Sequence, residues 1–118
     1  MVVLLYAHIA HSLTHSLTHN NGTYTDRLNL EGNRLTGGLP SELGLCESLV
    51  ELNVADNILR GTLPSELGNL RALRTIQLQQ NNFQGTVPPE LCTWTGVTLN
   101  ADFCPQNGPN CIEAGCLA

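Results

Sequence analysis

The feature that most constrains this chain is a self-match at a spacing of 24 residues, which begins near Arg27 and runs through most of the sequence. Apolar columns recur at Leu28/Leu52/Ile76, Leu30/Val54/Leu78, Leu35/Leu59/Phe83, Leu39/Leu63/Val87 and Leu43/Leu67/Leu91. Other columns keep step with them: Asn33/Asn57/Asn81, Gly37/Gly61/Gly85, Pro40/Pro64/Pro88, Glu42/Glu66/Glu90, Cys46/Leu70/Trp94 and Leu49/Leu73/Val97. Agreement in so many columns at one period is the mark of a stacked array, in which each repeat is one supersecondary unit. A single unit cannot bury its own leucines, and stacking does so.

Each column predicts a local conformation. Apolar residues alternate in ELNVADN (51–57) and TIQLQQN (75–81), which is the pattern of half-buried strands. The Asn that ends each strand can bond backbone groups where the chain turns, so Asn33, Asn57 and Asn81 are expected to stack into a buried ladder. Gly37, Gly61 and Gly85 suit backbone angles or close approach that a side chain forbids. Pro40-Ser41-Glu42 and Pro64-Ser65-Glu66 read as first turns of short helical segments, with the carboxylate near the positive end. Gly44 and Gly68 are expected to stop those segments. One repeat therefore makes a strand, a turn, an extended arm and a short helical return.

The pattern LxxLxLxxNxLxGxLPxxLGxLxx resembles the plant-type leucine-rich repeat, and Leu49–Leu73 matches it almost letter for letter. The resemblance covers residues 25 to about 104. It implies an α/β-type solenoid: a right-handed coil with a parallel sheet on the concave face and short helical or 3-10 segments on the convex side. It also implies a non-catalytic recognition module, since members are mostly extracellular parts of receptors and secreted inhibitors. The organisation expected is a low-complexity tail at 1–24, about three repeats at 25–96 and a Cys-rich cap at 97–118. The family pattern also has an N-terminal cap with a Cys pair and Trp, which the residues before Thr25 do not supply. The coil edge carrying Leu28, Leu30, Leu35, Leu39 and Leu43 is then expected to meet further repeats upstream, the tail or a second protomer, the first being preferred. The alternative function is a C-terminal structural fragment of a longer receptor-like or secreted protein, with no activity of its own.

The four His and five Cys suggest metal chemistry until their positions are read. His8, His11, His15 and His19 fall within AHIAHSLTHSLTH, and the His-Ser-Leu-Thr period of four matches a translated tetranucleotide repeat. The tail reads as low complexity or a gene-model artefact rather than a metal site. Met1–Ala10 has the apolar stretch of a signal peptide but no basic start. Cys46 shares a column with Leu70 and Trp94, so a buried hydrophobic role is expected. Cys92, Cys104, Cys111 and Cys116 cluster after the last full repeat and suit a disulfide-stapled cap. Their spacing lacks the paired CxxC of a structural zinc site. Three pairings are possible, with Cys92–Cys104 and Cys111–Cys116 favoured by proximity. VTLNADFC (97–104) reads as a degenerate final strand that places Cys104 at the ladder position after a one-residue deletion. Asn21-Gly22-Thr23 is a glycosylation acceptor sequence, which fits an extracellular or cell-surface location.

In-register strands set outward residues in columns: Arg27/Glu51/Thr75, Asn29/Asn53/Gln77, Glu31/Ala55/Gln79 and Gly32/Asp56/Gln80. This face is expected to be polar, mostly amide, slightly acidic and free of aromatics. Asn29, Glu51, Asn53, Asp56, Gln77, Gln79 and Gln80 are the candidate ligand-binding residues, suited to a peptide backbone or sugar hydroxyls. Arg71 and Arg74 fall beside the sheet on the return segment, where solvation is the simpler reading. A net charge of −5, from five Arg and no Lys against ten carboxylates, argues against nucleic acid as a partner. No apolar run is long enough to span a bilayer. The repeats hold no His, no Lys, no phosphate-cradling Gly motif and no nucleophile elbow, so no catalytic residue, metal or cofactor is assigned.

Overall fold

The computed structural model describes residues 27–104 and 111–117. The 1–24 tail with its four His and Asn21 lies outside the described residues. Four parallel strands form the first sheet: β1 (Arg27–Asn29), β3 (Glu51–Asn53), β5 (Thr75–Gln77) and β7 (Thr98–Asn100), in that order. Arg27, Glu51, Thr75 and Thr98 stand in one register row, with Leu28, Leu52, Ile76 and Leu99 in the next. The expected final strand is therefore present, and its register absorbs the one-residue deletion.

The extended arms are themselves paired. β2 (Thr36–Gly37), β4 (Ile58–Gly61) and β6 (Asn82–Phe83) form a second parallel sheet that the sequence reading had only as separate arms. Its alternation is too short to be seen: β2 and β6 have two residues each. Gly37, Gly61 and Gly85 have φ of 86°, 87° and 82°, the left-handed region, so these glycines serve conformation at the end of each arm.

The return segments are the 3-10 helices η1 (Ser41–Leu45), η2 (Ser65–Asn69) and η3 (Pro89–Thr93). Apolar residues recur every third position because these turns have three residues each. Leu43 N–H donates to Pro40 O (3.2 Å), Cys46 N–H to Leu43 O (3.0 Å) and Leu49 N–H to Cys46 O (2.9 Å), and Leu43, Cys46 and Leu49 are all buried. Gly44 and Gly68 do not stop these segments, as the sequence suggested, but lie within them. A Cβ on Gly44 would sit 2.5 Å from Glu66 O, and one on Gly68 2.9 Å from Glu90 O and Glu90 Cβ. Consecutive 3-10 segments stack too closely for a side chain there.

Of the three asparagines expected in a buried ladder, Asn57 and Asn81 are buried and bond across coils, and Asn33 is not. Asn57 Oδ1 accepts from Leu35 N–H (3.0 Å), and its amide donates to Leu30 O and Val54 O (both 3.0 Å). Asn81 repeats this one coil on, with Leu59 N–H (3.0 Å), Val54 O (2.9 Å) and Leu78 O (3.1 Å). Each Asn thus ties its own turn to the coil before it. Asn33, at the first described coil, is exposed and bonds only its own turn.

Beneath the ladder lies one continuous core from Leu35 to Leu91, joined by Ile112 of the cap. The cap imitates a further coil. Ile112 and Glu113 bridge to Phe103 and Thr86, and Glu113 N–H donates to Gly85 O (2.7 Å). The 3-10 turn η4 (Gly115–Leu117) packs on η3. The disulfides are Cys92–Cys116 and Cys104–Cys111, which corrects the pairing favoured from proximity in sequence. Cys116 follows Cys92 by 24 residues, one full period, so the two come together as any stacked pair does. Cys104 meets Cys111 because the adjacent Phe103–Ile112 bridge sets their strands side by side.

Candidate binding surface

The exposed side of the four-stranded sheet carries the expected columns, but its members are not equally available. Arg27 Nε lies 3.5 Å from Glu51 Oε2, an ion pair across β1 and β3 with the Arg side chain largely exposed. Asn29 is exposed, and its Oδ1 accepts from Glu31 N–H (3.0 Å), which leaves its amide NH2 facing outward chemistry. Asn53 repeats that turn bond to Ala55 N–H (3.0 Å) but is only 4% exposed, and its amide donates to Glu31 Oε2 (3.0 Å). Asn53 therefore positions Glu31 rather than standing free on the surface. Gln77 is half-buried and accepts from Gln79 Nε2 (3.3 Å). Gln79 Oε1 is occluded and has no hydrogen-bond donor among the described residues.

Asp56 and Gln80 follow their strands in the left-handed region, with φ of 55° and 59°, in the column where Gly32 has 71°. A non-glycine residue there is strained unless its surroundings hold it. Asp102 provides that support in the last repeat: its Oδ2 accepts from Gln80 N–H (2.8 Å) and more weakly from Asn81 N–H (3.4 Å). Asp102 is one surface residue the sequence reading passed over. Two more are Asn100, paired in register with Gln77, and Phe103, 37% exposed. Counting past the one-residue deletion places Phe103 in the Gly32/Asp56/Gln80 column, so an aromatic does border this surface. The one-residue deletion before Cys104 is the sequence signal that marks Phe103.

Cys46 is a buried free thiol, 2% exposed, as its column predicted. Burial raises its pKa, so it stays protonated and unreactive at neutral pH. Among the described residues no group of three or more His, Cys, Asp or Glu side chains is arranged to hold a metal ion. No helix among them is long and apolar enough to cross a membrane.

Stacked coils with a ladder of turn amides, a parallel sheet bearing polar columns and a disulfide-closed end define a repeat solenoid. The Leucine Rich Repeat family model matches residues 25–46, 48–70 and 72–94, and the chain belongs to the leucine-rich repeat family. Solved structures agree. The PEPR1–AtPEP1 complex matches 70% of this chain at 30% identity with a TM-score of 0.63. The BIR3–SERK2 complex from Arabidopsis thaliana matches 72% at 33% identity with a TM-score of 0.56. The leucine-rich repeat ectodomain of the Arabidopsis thaliana receptor kinase GASSHO1/SCHENGEN3, in complex with CASPARIAN STRIP INTEGRITY FACTOR 2, matches 65% at 27% identity with a TM-score of 0.60. The chain spans 12%, 46% and 10% of these three proteins respectively. Comparison by sequence with curated proteins gives no match. The family and these receptor ectodomains are non-catalytic binding modules.

Proposed function

We propose that this chain binds an extended peptide or protein segment across its four-stranded sheet, outside the cell. The observation that carries the reading is the in-register row of amide side chains Asn29, Gln77 and Asn100, with Asn53 buried among them. With a gap at the buried Asn53, such a row offers amide groups at multiples of the strand spacing of about 4.8 Å, to which an extended backbone can bond. Glu51, Asp56, Gln79 and Gln80 extend the row on either side, and Phe103 supplies an apolar end contact. Several solved neighbours are complexes with peptides or a co-receptor, which supports a polypeptide over a glycan as the ligand. Two disulfides fit an oxidising, extracellular compartment. A second reading, a terminal piece of a longer solenoid with upstream repeats, draws support from the small share of the neighbours that the chain spans.

The test is a peptide and glycan array probed with the purified chain and its Asn29→Ala and Gln77→Ala variants. Each lost hydrogen bond is worth about 0.5–1.5 kcal/mol, a roughly two- to tenfold drop in affinity for the peptide captured. Capture that is unchanged in both variants rejects the sheet face as the binding surface. Capture of glycans alone rejects the peptide.

A further inference from the structure

A separate feature lies off the sheet columns, on the flank where the return segments lead into β5 and β7. A groove of about 490 Å³ is lined there by Arg71, Arg74, Trp94 and the neighbouring Thr93 and Thr95. A second groove, bordered by Leu45, Glu47, Asn69 and Arg71, adjoins it through Arg71. We propose that this flank binds an acidic side chain of a polypeptide partner, with Arg71 and Arg74 taking the carboxylate and Leu45 an adjoining apolar residue.

Three observations support this assignment. The basic pair is not part of the repeat: the residues one period before Arg71 and Arg74 are Glu47 and Val50, and the residue one period after Arg71 is Thr95. Neither guanidinium has a carboxylate within ion-pair distance among the described residues, whereas Arg27 pairs with Glu51. Arg74 Nη1 instead donates to Leu73 O (3.2 Å), which steadies the guanidinium and leaves its other N–H groups for a ligand. Both Arg side chains are exposed, in a chain of net charge −5 that has five Arg and no Lys.

The third observation is Trp94. It occupies the column of Cys46 and Leu70, but those two are fully buried and the larger indole is only partly so. Its Nε1–H is occluded from solvent and has no acceptor among the described residues. A donor left in that state carries an uncompensated desolvation cost, and an acceptor brought into the groove relieves it if the ring turns slightly. Two guanidiniums and one indole N–H match the four lone-pair sites of a single carboxylate. Two guanidiniums against the single carboxylate of Glu47 leave this flank net positive, which favours an anionic group. Leu45, 68% exposed beside Arg71, makes an acidic residue next to an apolar one the best-fitting occupant.

Trp94 is the only tryptophan in the chain, so its fluorescence reports on this groove directly. The full chain is titrated with a short blocked peptide carrying Glu beside Leu, and with the same peptide carrying Gln. The Glu peptide is expected to shift Trp94 emission saturably, and the Gln peptide to leave it unchanged. Arg71→Ala and Arg74→Ala each weaken the response roughly fivefold, the upper range for an exposed ion pair, while Arg34→Ala does not. Raising the salt concentration weakens it as well. Trp94→Phe, followed by calorimetry, keeps an aromatic ring but removes the indole N–H, and binds more weakly. Equal binding of the Gln peptide, or of inorganic sulfate in place of the peptide, overturns the proposal, as does full binding by the double Arg variant. Asn29→Ala and Gln77→Ala are expected to leave this signal intact. Loss of the signal in those variants assigns the peptide to the sheet face and also overturns the flank site.

Discussion

Replacing Asn57 by Ala tests whether the ladder carries the stacking of the coils. The substitution removes the acceptor for the buried Leu35 N–H and a donor to Leu30 O, both in the preceding coil, and a donor to Val54 O in its own turn. Val54 O keeps a second donor in Asn81 and Leu30 O one in Asn33, so neither carbonyl is orphaned. The unpaired Leu35 N–H costs about 1–3 kcal/mol, and the weakened Leu30 O adds roughly 1 kcal/mol, so the expected loss is about 3 kcal/mol. That is a large fraction of a typical stability of about 5–15 kcal/mol. For a folded unit of this size it lowers Tm by on the order of 10–25 °C. Asn33→Ala is the internal control, because Asn33 is exposed and bonds only within its own turn, and it should cost less than about 1 kcal/mol. Asn57→Asp keeps an acceptor for Leu35 but turns a carboxylate toward Leu30 O, Val54 O and Ala55 O. Those carbonyls raise the Asp pKa in the folded state, so its penalty grows as pH rises past the ordinary carboxylate value and is relieved in acid. Urea unfolding followed by circular dichroism reads all three variants against the parent. If Asn57→Ala and Asn33→Ala cost the same, the ladder is decoration and the coils are held by leucine packing alone.

Two other outcomes follow from the same geometry. Gly44→Ala should destabilise by about 1–3 kcal/mol through collision with Glu66 O, whereas Gly38→Ala, whose Cβ would meet Arg60 O at 3.3 Å, should cost less; thermal unfolding of the pair checks the order. Cys46 should resist thiol reagents until the chain unfolds, when labelling under non-reducing conditions finds one thiol per chain. Since burial raises its folded pKa, its contribution to stability is complete below the ordinary thiol pKa and is lost as pH rises above it toward the folded value.

The coil was legible because its signals are local and repeated. Leu52, Asn57, Gly61 and Leu67 each answer to a short-range rule, and repetition shows that the rule is being used. What was not legible depended on contacts between coils that no single coil specifies. The second sheet is one case: Thr36–Gly37 is too short to read as a strand and becomes one only beside Ile58–Gly61. The fate of Asn53 is another. Its column marks it as a surface amide, but Glu31 of the neighbouring coil closes over it. Side chains on adjacent strands compete for the same space, and the winner depends on their lengths rather than on the repeat.

The cap shows how period information was present but applied at the wrong scale. Nearness along the chain favoured Cys92–Cys104 and Cys111–Cys116, yet in a stacked array spatial neighbours are one period apart. Cys92 belongs to the Gly44/Gly68 column, and that column is restricted to glycine because the next 3-10 segment crosses it within 2.5–2.9 Å of a would-be Cβ. After the last repeat no full segment crosses, so a side chain is admitted, and the residue one period later, Cys116, is where the next coil would have stood. The disulfide therefore replaces a packing contact by a covalent one at the same site. Cys104 does the like for the ladder. It takes the position of a fourth Asn, and where an amide would tie the turn back to the coil before it, the link to Cys111 ties the turn forward to the cap. Both cap disulfides thus stand where the repeat has lost its neighbour, which is why they sit at the end of the array.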